Sequence, residues 1–586
     1  SIKSEYFNGG IVYMRAADAI VKILIANDVE VIFGVPGDTS MTFHNAIEAH
    51  SDQIKYIQCR DERHATYMAD TYARVSGKPG VVDVPSGGGV LYATPGISEA
   101  NSSSVPIICF SSDISMSSEE TGALTELKQV ELLQSITKWN TKIKLASKIP
   151  HMLRKAFRMA TGGRPGAVHI SVPEDVHEEH YDYTDEELYS SFHKPFKSSP
   201  NREDIEKVYE LLTQSSRPVI IAGGGVHLSA AYEELESLAS DFTIPVGTSI
   251  NGKGSIAENL PQAIGVIGVN GGTDETNSII KNADFVLVLG SKLNNVTTVA
   301  KSIFSHSPVV VQVDISEEIL DQNIRTNVAI MSDIKAFLNH LNLLMNNRNK
   351  DFSNSLTEWN KFYQNVLNEK FSRVAKEVQE ETKLVNPAKI IDLLNKHTNE
   401  NALFVIDAGT QNPYMASDYV TKKSGRRTVF DRGHGNLGYA LSAAIGAQVA
   451  SPQSKVFSMF GDGSFAMSVG ELETASRLGL PVVFLLFQNN SYGWIKKLHQ
   501  LYYDERYIGV DFSQINGAKI AEGFNIRSLR IDSNEKLEEG LKWAIDQQGP
   551  VFLDILIEPI TDIVPPVTNW REDSKLDPSK REALTY

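Results

Sequence analysis

Cysteine is nearly missing: Cys59 and Cys109 are the only two in 586 residues, and neither stands at a metal-ligand spacing. That leaves no disulfide framework and no cysteine-based metal spacing, and a reducing cytoplasm is the expected compartment. Positive charge is also in deficit. Lys and Arg number 56 against 72 Asp and Glu, a net charge of −16, which argues against a general nucleic-acid surface and against docking on an anionic membrane. No run of about 18 apolar residues occurs, and the first ten residues lack the apolar core of a signal peptide, so no membrane span is expected. Short-period repeats and low-complexity tracts are absent too.

What is present is ordinary globular material, 41% hydrophobic and 22% charged, in a chain long enough for about three domains. Short apolar runs alternate with amphipathic helical stretches: Val31–Phe33, Tyr56–Cys59, Gly80–Asp83, Pro106–Phe110 and Ala167–Ser171 in the first block. Arg217–Ala222, Ala283–Gly290 and Pro308–Asp314 follow in a second block, and Ala402–Ile406, Lys455–Phe460 and Pro481–Phe487 in a third. This alternation predicts an α/β fold of three consecutive domains with mainly parallel sheets, over 11–180, 201–347 and 384–560, with an irregular tail over 561–586. The polar stretch from His177 to Pro200 reads as a linker. Gly223-Gly-Gly225 follows a strand, but Leu228 takes the place of the last glycine of a dinucleotide fingerprint. It is read as a tight turn letting a helix pack on a strand, with a dinucleotide phosphate received on its backbone N–H groups as the alternative.

The most informative pair is Gly461-Asp462-Gly463-Ser464 and Asn489-Asn490-Ser491-Tyr492-Gly493. Each follows an apolar strand, and Glu471–Leu478 between them has helical spacing, which makes a strand–helix–strand unit with both polar clusters at the carboxyl ends of its strands. An Asp carboxylate, an Asn carbonyl and a backbone carbonyl from the following turn are hard oxygen ligands that suit Mg²⁺ or Ca²⁺ with phosphate oxygens and water. Either half alone is a common turn; the combination, with Asn489 placed 27 residues after Asp462, is not.

This arrangement resembles the signature of thiamine diphosphate-dependent enzymes. The resemblance extends to Asp61-Glu62-Arg63-His64 before a helix ending in Tyr72-Ala-Arg74, to Gly77-Lys-Pro-Gly80, to Asp431-Arg-Gly-His-Gly-Asn-Leu437 and to Ala408-Gly-Thr-Gln411. It implies a pyrimidine-binding, a middle and a diphosphate-binding domain in that order. Asp462, Asn489 and the Ser491 carbonyl would hold Mg²⁺. Gly409, Thr410, Gln411, Gly463, Ser464, Tyr492 and Gly493 would surround the diphosphate, and Gly435 and Leu437 the pyrimidine edge. Glu62 is the implied catalytic carboxyl: hydrogen-bonded to pyrimidine N1′, it lets the cofactor's own amino group take the C2 proton. The family's sites lie between subunits, which implies a homodimer or homotetramer acting on a small-molecule substrate.

Within that family the layout resembles acetolactate synthase, a transferase/lyase-type carboligase acting on a 2-oxoacid donor. Phe33-Gly-Val-Pro-Gly-Asp38 resembles the 2-oxoacid decarboxylase entry loop, in which the matching Asp relays protons, and Asp38 and Trp494 are assigned with Leu498 to the substrate side. The decarboxylase His pair is absent from Ser111–Gly122, and Ile495 stands where its late Glu would be. Thr125 and Leu498 replace a Gln and a Trp of acetolactate synthase. Lys292-Leu-Asn-Asn-Val296 replaces its flavin-associated stretch, which argues against FAD. Tyr492–Lys496 and Tyr507–Phe512 resemble pyruvate oxidase. A 2-hydroxyacyl-CoA lyase uses the same cofactor chemistry, and a catalytically inactive cofactor-binding subunit is the non-enzyme alternative; the presence of Glu62, Asp462 and Asn489 speaks against the last.

Overall fold

The computed structural model describes residues 10–192 and 194–583; the reading of residues 1–9 as free of a signal core lies outside them. The described residues fall into two compact units. One runs to Phe196 and includes Asp431–Pro452 and Ser468–Leu478; the other comprises Lys197–Phe430, Gln453–Met467 and the chain from Gly479 onward. Among the described residues there are three six-stranded parallel sheets, one in the first unit and two in the second, and one two-stranded ribbon.

The first unit contains β1 (Ile11–Arg15), β2 (Val31–Gly34), β3 (Lys55–Gln58), β4 (Gly80–Val84), β5 (Ile107–Asp113), β6 (Trp139–Lys142), β7 (Ala167–Pro173) and β8 (His180–Thr184). Its sheet has the order β3-β2-β4-β5-β7-β6, with β1 and β8 paired antiparallel beside it. β4, β5 and β7 are buried along their whole length, as expected of parallel strands covered by helices on both faces. The linker reading of His177–Pro200 needs correction. Its first half folds as β8 and the Asp185–Tyr189 helix, because Tyr183 and Leu188 are apolar anchors in an otherwise polar stretch and are fully buried.

The second unit contains β9 (Pro218–Ala222), β10 (Val246–Thr248), β11 (Ala263–Val266), β12 (Phe285–Leu289), β13 (Val309–Asp314) and β14 (Val328–Met331), ordered β11-β10-β9-β12-β13-β14. The order reverses between β9 and β12, which is where an open α/β sheet ordinarily receives a nucleotide. Here that crevice is closed by the chain itself. A Cβ on Gly223 would lie 2.3 Å from the Gly290 carbonyl oxygen, and one on Gly290 would lie 2.5 Å from the Gly225 Cα; the Gly225 N–H donates to that same carbonyl at 3.0 Å. The glycine run is a packing turn. Gly290 also has φ +61, so Gly290→Ala should cost the second unit about 2 kcal/mol or more. A calorimetric transition unchanged from the parent would refute the contact between these loops.

The third sheet contains β15 (Leu403–Ile406), β16 (Thr428–Phe430), β17 (Val456–Gly461), β18 (Val483–Gln488), β19 (Arg527–Ile531) and β20 (Val551–Leu556), ordered β16-β15-β17-β18-β20-β19. Its order reverses between β15 and β17, so the carboxyl ends of these two strands and of β18 frame the crevice. The tail expected to be irregular carries short regular pieces, a helix and two 3-10 turns at Ile560–Asp562 and Pro578–Lys580, with irregular chain between them. Trp570–Lys575 forms a helix whose Trp570 is buried, and the Thr568 hydroxyl donates to the Gly268 carbonyl at 2.7 Å. A lone tryptophan in a proline-containing charged segment carries no periodicity, yet its burial is enough to dock the segment.

Candidate active site

Asp462 opens the Asp462–Ser468 helix directly at the end of β17, so the Gly461-Asp-Gly turn is in fact a strand-to-helix junction. Asp462 is only 7% exposed. Its carboxylate accepts the Asn490 N–H at 2.6 Å, and no Lys or Arg among the described residues forms an ion pair with it. Burial pushes its pKa up to about 6, against backbone N–H groups that oppose the shift. A carboxylate so placed is suited to receive a cation.

The partner cluster is shaped to supply the other oxygens. Asn490 has φ +57, which turns the chain sharply after β18. The turn is clamped by backbone pairing to a later segment, Tyr492 N–H to Val510 O at 2.9 Å and Phe512 N–H to Asn490 O at 2.8 Å. Among the described residues no donor reaches the Ser491 carbonyl. The Asn489 amide oxygen accepts the Ser491 hydroxyl at 3.2 Å, which leaves it a second lone pair. One carboxylate, one amide oxygen and one free carbonyl, without a converging group of three His, Cys, Asp or Glu among the described residues, fit Mg²⁺ completed by phosphate and water.

The loop after β15 comes to the same place. Asn489 Nδ2 lies 3.4 Å from the Thr410 hydroxyl, and a Cβ on Gly493 would meet Thr410 Oγ1 at 2.6 Å and Asn489 Nδ2 at 2.9 Å. A Cβ on Gly463 would lie 2.5 Å from the Tyr492 ring. These two glycines are therefore required by close approach. Gly409 has φ +136 and swings the chain into the Gln411–Asp418 helix, whose first N–H groups stand where a phosphate is ordinarily received. The Gln411 side chain is fully buried and donates to the Asp407 and Ala408 carbonyls at 2.9 and 3.2 Å, bracing the loop from inside. Ser464 is buried within the first turn of the helix that Asp462 opens.

In the first unit, Glu62 is the first residue of the Glu62–Ser76 helix, capped by the Asp61 side chain on the Arg63 N–H at 2.8 Å and ended by Gly77 at φ +72. The charged tetrapeptide is thus the start of a helix, as its position before the Tyr72-Ala-Arg74 run implied. The capping turn is anchored by Glu471, a buried carboxylate that accepts the Arg60 N–H at 2.9 Å and lies 3.1 Å from His64 Nδ1. The periodicity of the Glu471–Leu478 stretch marked a helix there but not this anchoring role. Glu62 is 9% exposed, and its Oε1 faces Gly89, where an added Cβ would lie 3.2 Å away. Burial raises its pKa, its own backbone N–H opposing and Asp61 adding to the shift. No side chain among the described residues bonds it, so it keeps a free carboxyl edge beside a cradle without a Cβ.

Gly435, at φ +68, and half-buried Leu437 lie in the loop that precedes the Tyr439–Ala450 helix. Asp38 is exposed on the short turn Asp38–Ser40. That turn is held because Thr39 Oγ1 lies 3.0 Å from Ser86 Oγ, itself 2.7 Å from Thr125 Oγ1. In the second unit Trp494 lies on the Gly493–Tyr502 helix with its ring 4.6 Å from that of Trp570. Trp494 and Leu498 pack on the apolar cluster of the middle sheet, and the exposed apolar residue of that helix is Ile495.

Comparison with known proteins gives three family matches that follow the chain in order: "Thiamine pyrophosphate enzyme, N-terminal TPP binding domain" over residues 14–132, the "central domain" over 205–341 and the "C-terminal TPP binding domain" over 407–555. The chain is 33% identical to a "Probable acetolactate synthase large subunit" of Methanococcus aeolicus, over 94% of each chain. It is 32% identical to the protein of the same description in Methanocaldococcus jannaschii, over 96% of each. It is 30% identical to the "Acetolactate synthase large subunit" of Lactococcus lactis subsp. lactis, over 92% of this chain and 91% of the relative.

Proposed function

Because this chain belongs to the thiamine diphosphate enzyme family, among its acetolactate synthase-like members, we propose that it takes a 2-oxoacid donor, releases CO₂ and joins the remaining acyl unit to a second carbonyl compound. The cofactor, when bound, supplies a carbon that adds to the donor carbonyl and accepts the electron pair left by CO₂. The observation that carries the site assignment is the buried Asp462 carboxylate, paired to no Lys or Arg among the described residues, beside Asn489 and the Ser491 carbonyl, which no donor among them reaches. These residues would hold Mg²⁺, with Gly409, Thr410, Gln411, Gly463, Ser464, Tyr492 and Gly493 around the diphosphate.

Glu62, buried and without a side-chain partner among the described residues, holds or yields a proton at its carboxyl edge, and Gly435 and Leu437 border the ring it engages. Asp38 and Trp494 are assigned to the substrate side. The middle domain is read as free of flavin. Its switch-point crevice is filled by Gly223, Gly225 and Gly290, and Leu293 in the substituted stretch turns into the core at φ +47. A homodimer or homotetramer with sites between subunits, in the cytoplasm, completes the reading. Two buried free thiols accord with that compartment, and among the described residues no helix is long and apolar enough to cross a membrane.

The test is to load the protein with thiamine diphosphate and Mg²⁺, offer pairs of 2-oxoacids and acyl-CoA thioesters, and follow CO₂, peroxide and ligation products together. Carbon dioxide with a carbon–carbon ligation product is expected. Aldehyde alone would mark a decarboxylase, peroxide an oxidase and thioester cleavage a lyase. No turnover on any of them would leave a cofactor-binding subunit.

A further inference from the structure

Glu99 lies on the Gly88–Ser102 helix, outside every motif that marks the cofactor site, and is fully buried. Its Oε1 accepts the Gly433 N–H at 2.9 Å, and its Oε2 accepts the His434 N–H at 2.8 Å. Arg74 Nη2 at 3.3 Å and Ser103 Oγ at 3.0 Å also donate to Oε1. A single carboxylate thus grips two successive backbone N–H groups of the loop that leads into Gly435 and Leu437. The fit is close enough to demand glycine: a Cβ on Gly433 would lie 2.7 Å from Glu99 Oε2.

The rest of the loop rests on the same helix. His434 Nε2 lies 2.7 Å from Ser98 Oγ, and Asn436 Nδ2 donates to the Pro95 carbonyl at 3.3 Å. The Glu99 helix is in turn locked to the helix that begins with Glu62. Arg74 bridges Glu99 to Asp70 at 3.3 and 3.0 Å, the Tyr439 hydroxyl donates to Asp70, and Gly96 lies so close to Thr66 that a Cβ there would overlap its hydroxyl.

We propose that Glu99 is a positioning residue for thiamine diphosphate, setting the Gly433–Leu437 loop in register so that Gly435 and Leu437 can meet the pyrimidine edge. A carboxylate is needed because both facing groups are donors and both must be accepted at once. A Gln amide offers one acceptor and one donor, and turns one backbone N–H against an N–H. The proposal rests on the assignment of Gly435 and Leu437 to the cofactor.

The test measures thiamine diphosphate affinity calorimetrically, with Mg²⁺ in excess, for the parent protein and for Glu99→Gln, Gly433→Ala, the double variant and Leu437→Ala. Glu99→Gln and Gly433→Ala should each weaken binding tenfold or more, and the double variant should bind no worse than the weaker single one, because both break the same contact. A purely structural Glu99 would lower the unfolding midpoint of the cofactor-free protein and leave affinity within twofold, and that result overturns the proposal. Additive losses overturn it as well, since Glu99 would then act elsewhere. Gly433→Ala keeps all the charges of the cluster and carries the test if Glu99→Gln does not fold. If Leu437→Ala weakens binding while the Glu99 and Gly433 variants do not, only the positioning by Glu99 fails. If Leu437→Ala binds normally, the pyrimidine assignment fails and the proposal falls with it.

Discussion

Glu62→Gln slows exchange of the C2 proton of bound thiamine diphosphate by about 10²- to 10⁴-fold, measured by rapid acid quench and NMR, while cofactor affinity changes far less. The substitution keeps the shape and the hydrogen-bonding reach of the side chain and removes the ability to exchange a proton, so it separates proton chemistry from binding. The position is suited to that chemistry. Glu62 is held at a helix start by Asp61 and Glu471, lies against Gly89 and has its pKa raised by burial. A group whose folded pKa is raised contributes its stability below the unfolded pKa and loses it as pH rises, so at neutral pH the ionised carboxylate costs the cofactor-free fold. Glu62→Gln therefore leaves that fold as stable as the parent or more so, which is the usual signature of a residue retained for activity. An exchange rate equal to the parent's would remove Glu62 from the catalytic role.

Asp462→Ala removes Mg²⁺-dependent cofactor binding, with affinity falling by about 10²-fold or more. The reason is the donor set: Asp462 is the one carboxylate among the proposed ligands, and the Asn489 amide and Ser491 carbonyl carry no charge to replace it. The cofactor-free protein should not suffer. Burial holds the Asp462 pKa at about 6, so near pH 7 its ionised form opposes folding until a cation arrives. The measurement is titration calorimetry with thiamine diphosphate at fixed excess Mg²⁺, beside a thermal melt without either. Retained affinity would place the metal elsewhere, and a large drop in the cofactor-free melt would make Asp462 a structural residue first.

Strand positions in the first sheet could be read where apolar runs were long and bounded by turn residues, as for β2, β4, β5 and β7. Shorter or half-polar strands were caught unevenly: β3, Lys55–Gln58, was read, and others escaped. β10 has three residues, and β19, Arg527–Ile531, alternates polar and apolar side chains on a part-exposed edge, so neither makes a continuous apolar run. The anchors of the His177–Pro200 stretch and of the tail are single aromatic or aliphatic residues, which have no period to detect. Within the candidate site, motif residues on strand ends were legible because the chemistry needs their residue types at fixed places on a parallel sheet. Glu99 and Glu471 were not, since an isolated Glu on a helix looks like surface until its helix is known to be covered.

The sequence by itself determined the α/β class, the Asp462–Asn489 pair on neighbouring strand ends and Glu62 at the start of a helix. Each depends on local patterns: apolar runs, caps and turns whose physics acts over a few residues. Only the tertiary structure decided that the Gly223–Gly225 turn is filled by Gly290, that the tail docks through Trp570 and that Asp462 is buried with no Lys or Arg of the described residues paired to it. It also decided that Glu99 and Glu471 reach backbone N–H groups more than 300 residues away in the chain. Those facts depend on which surfaces meet, and close approach and burial of charge come into being only when distant segments pack.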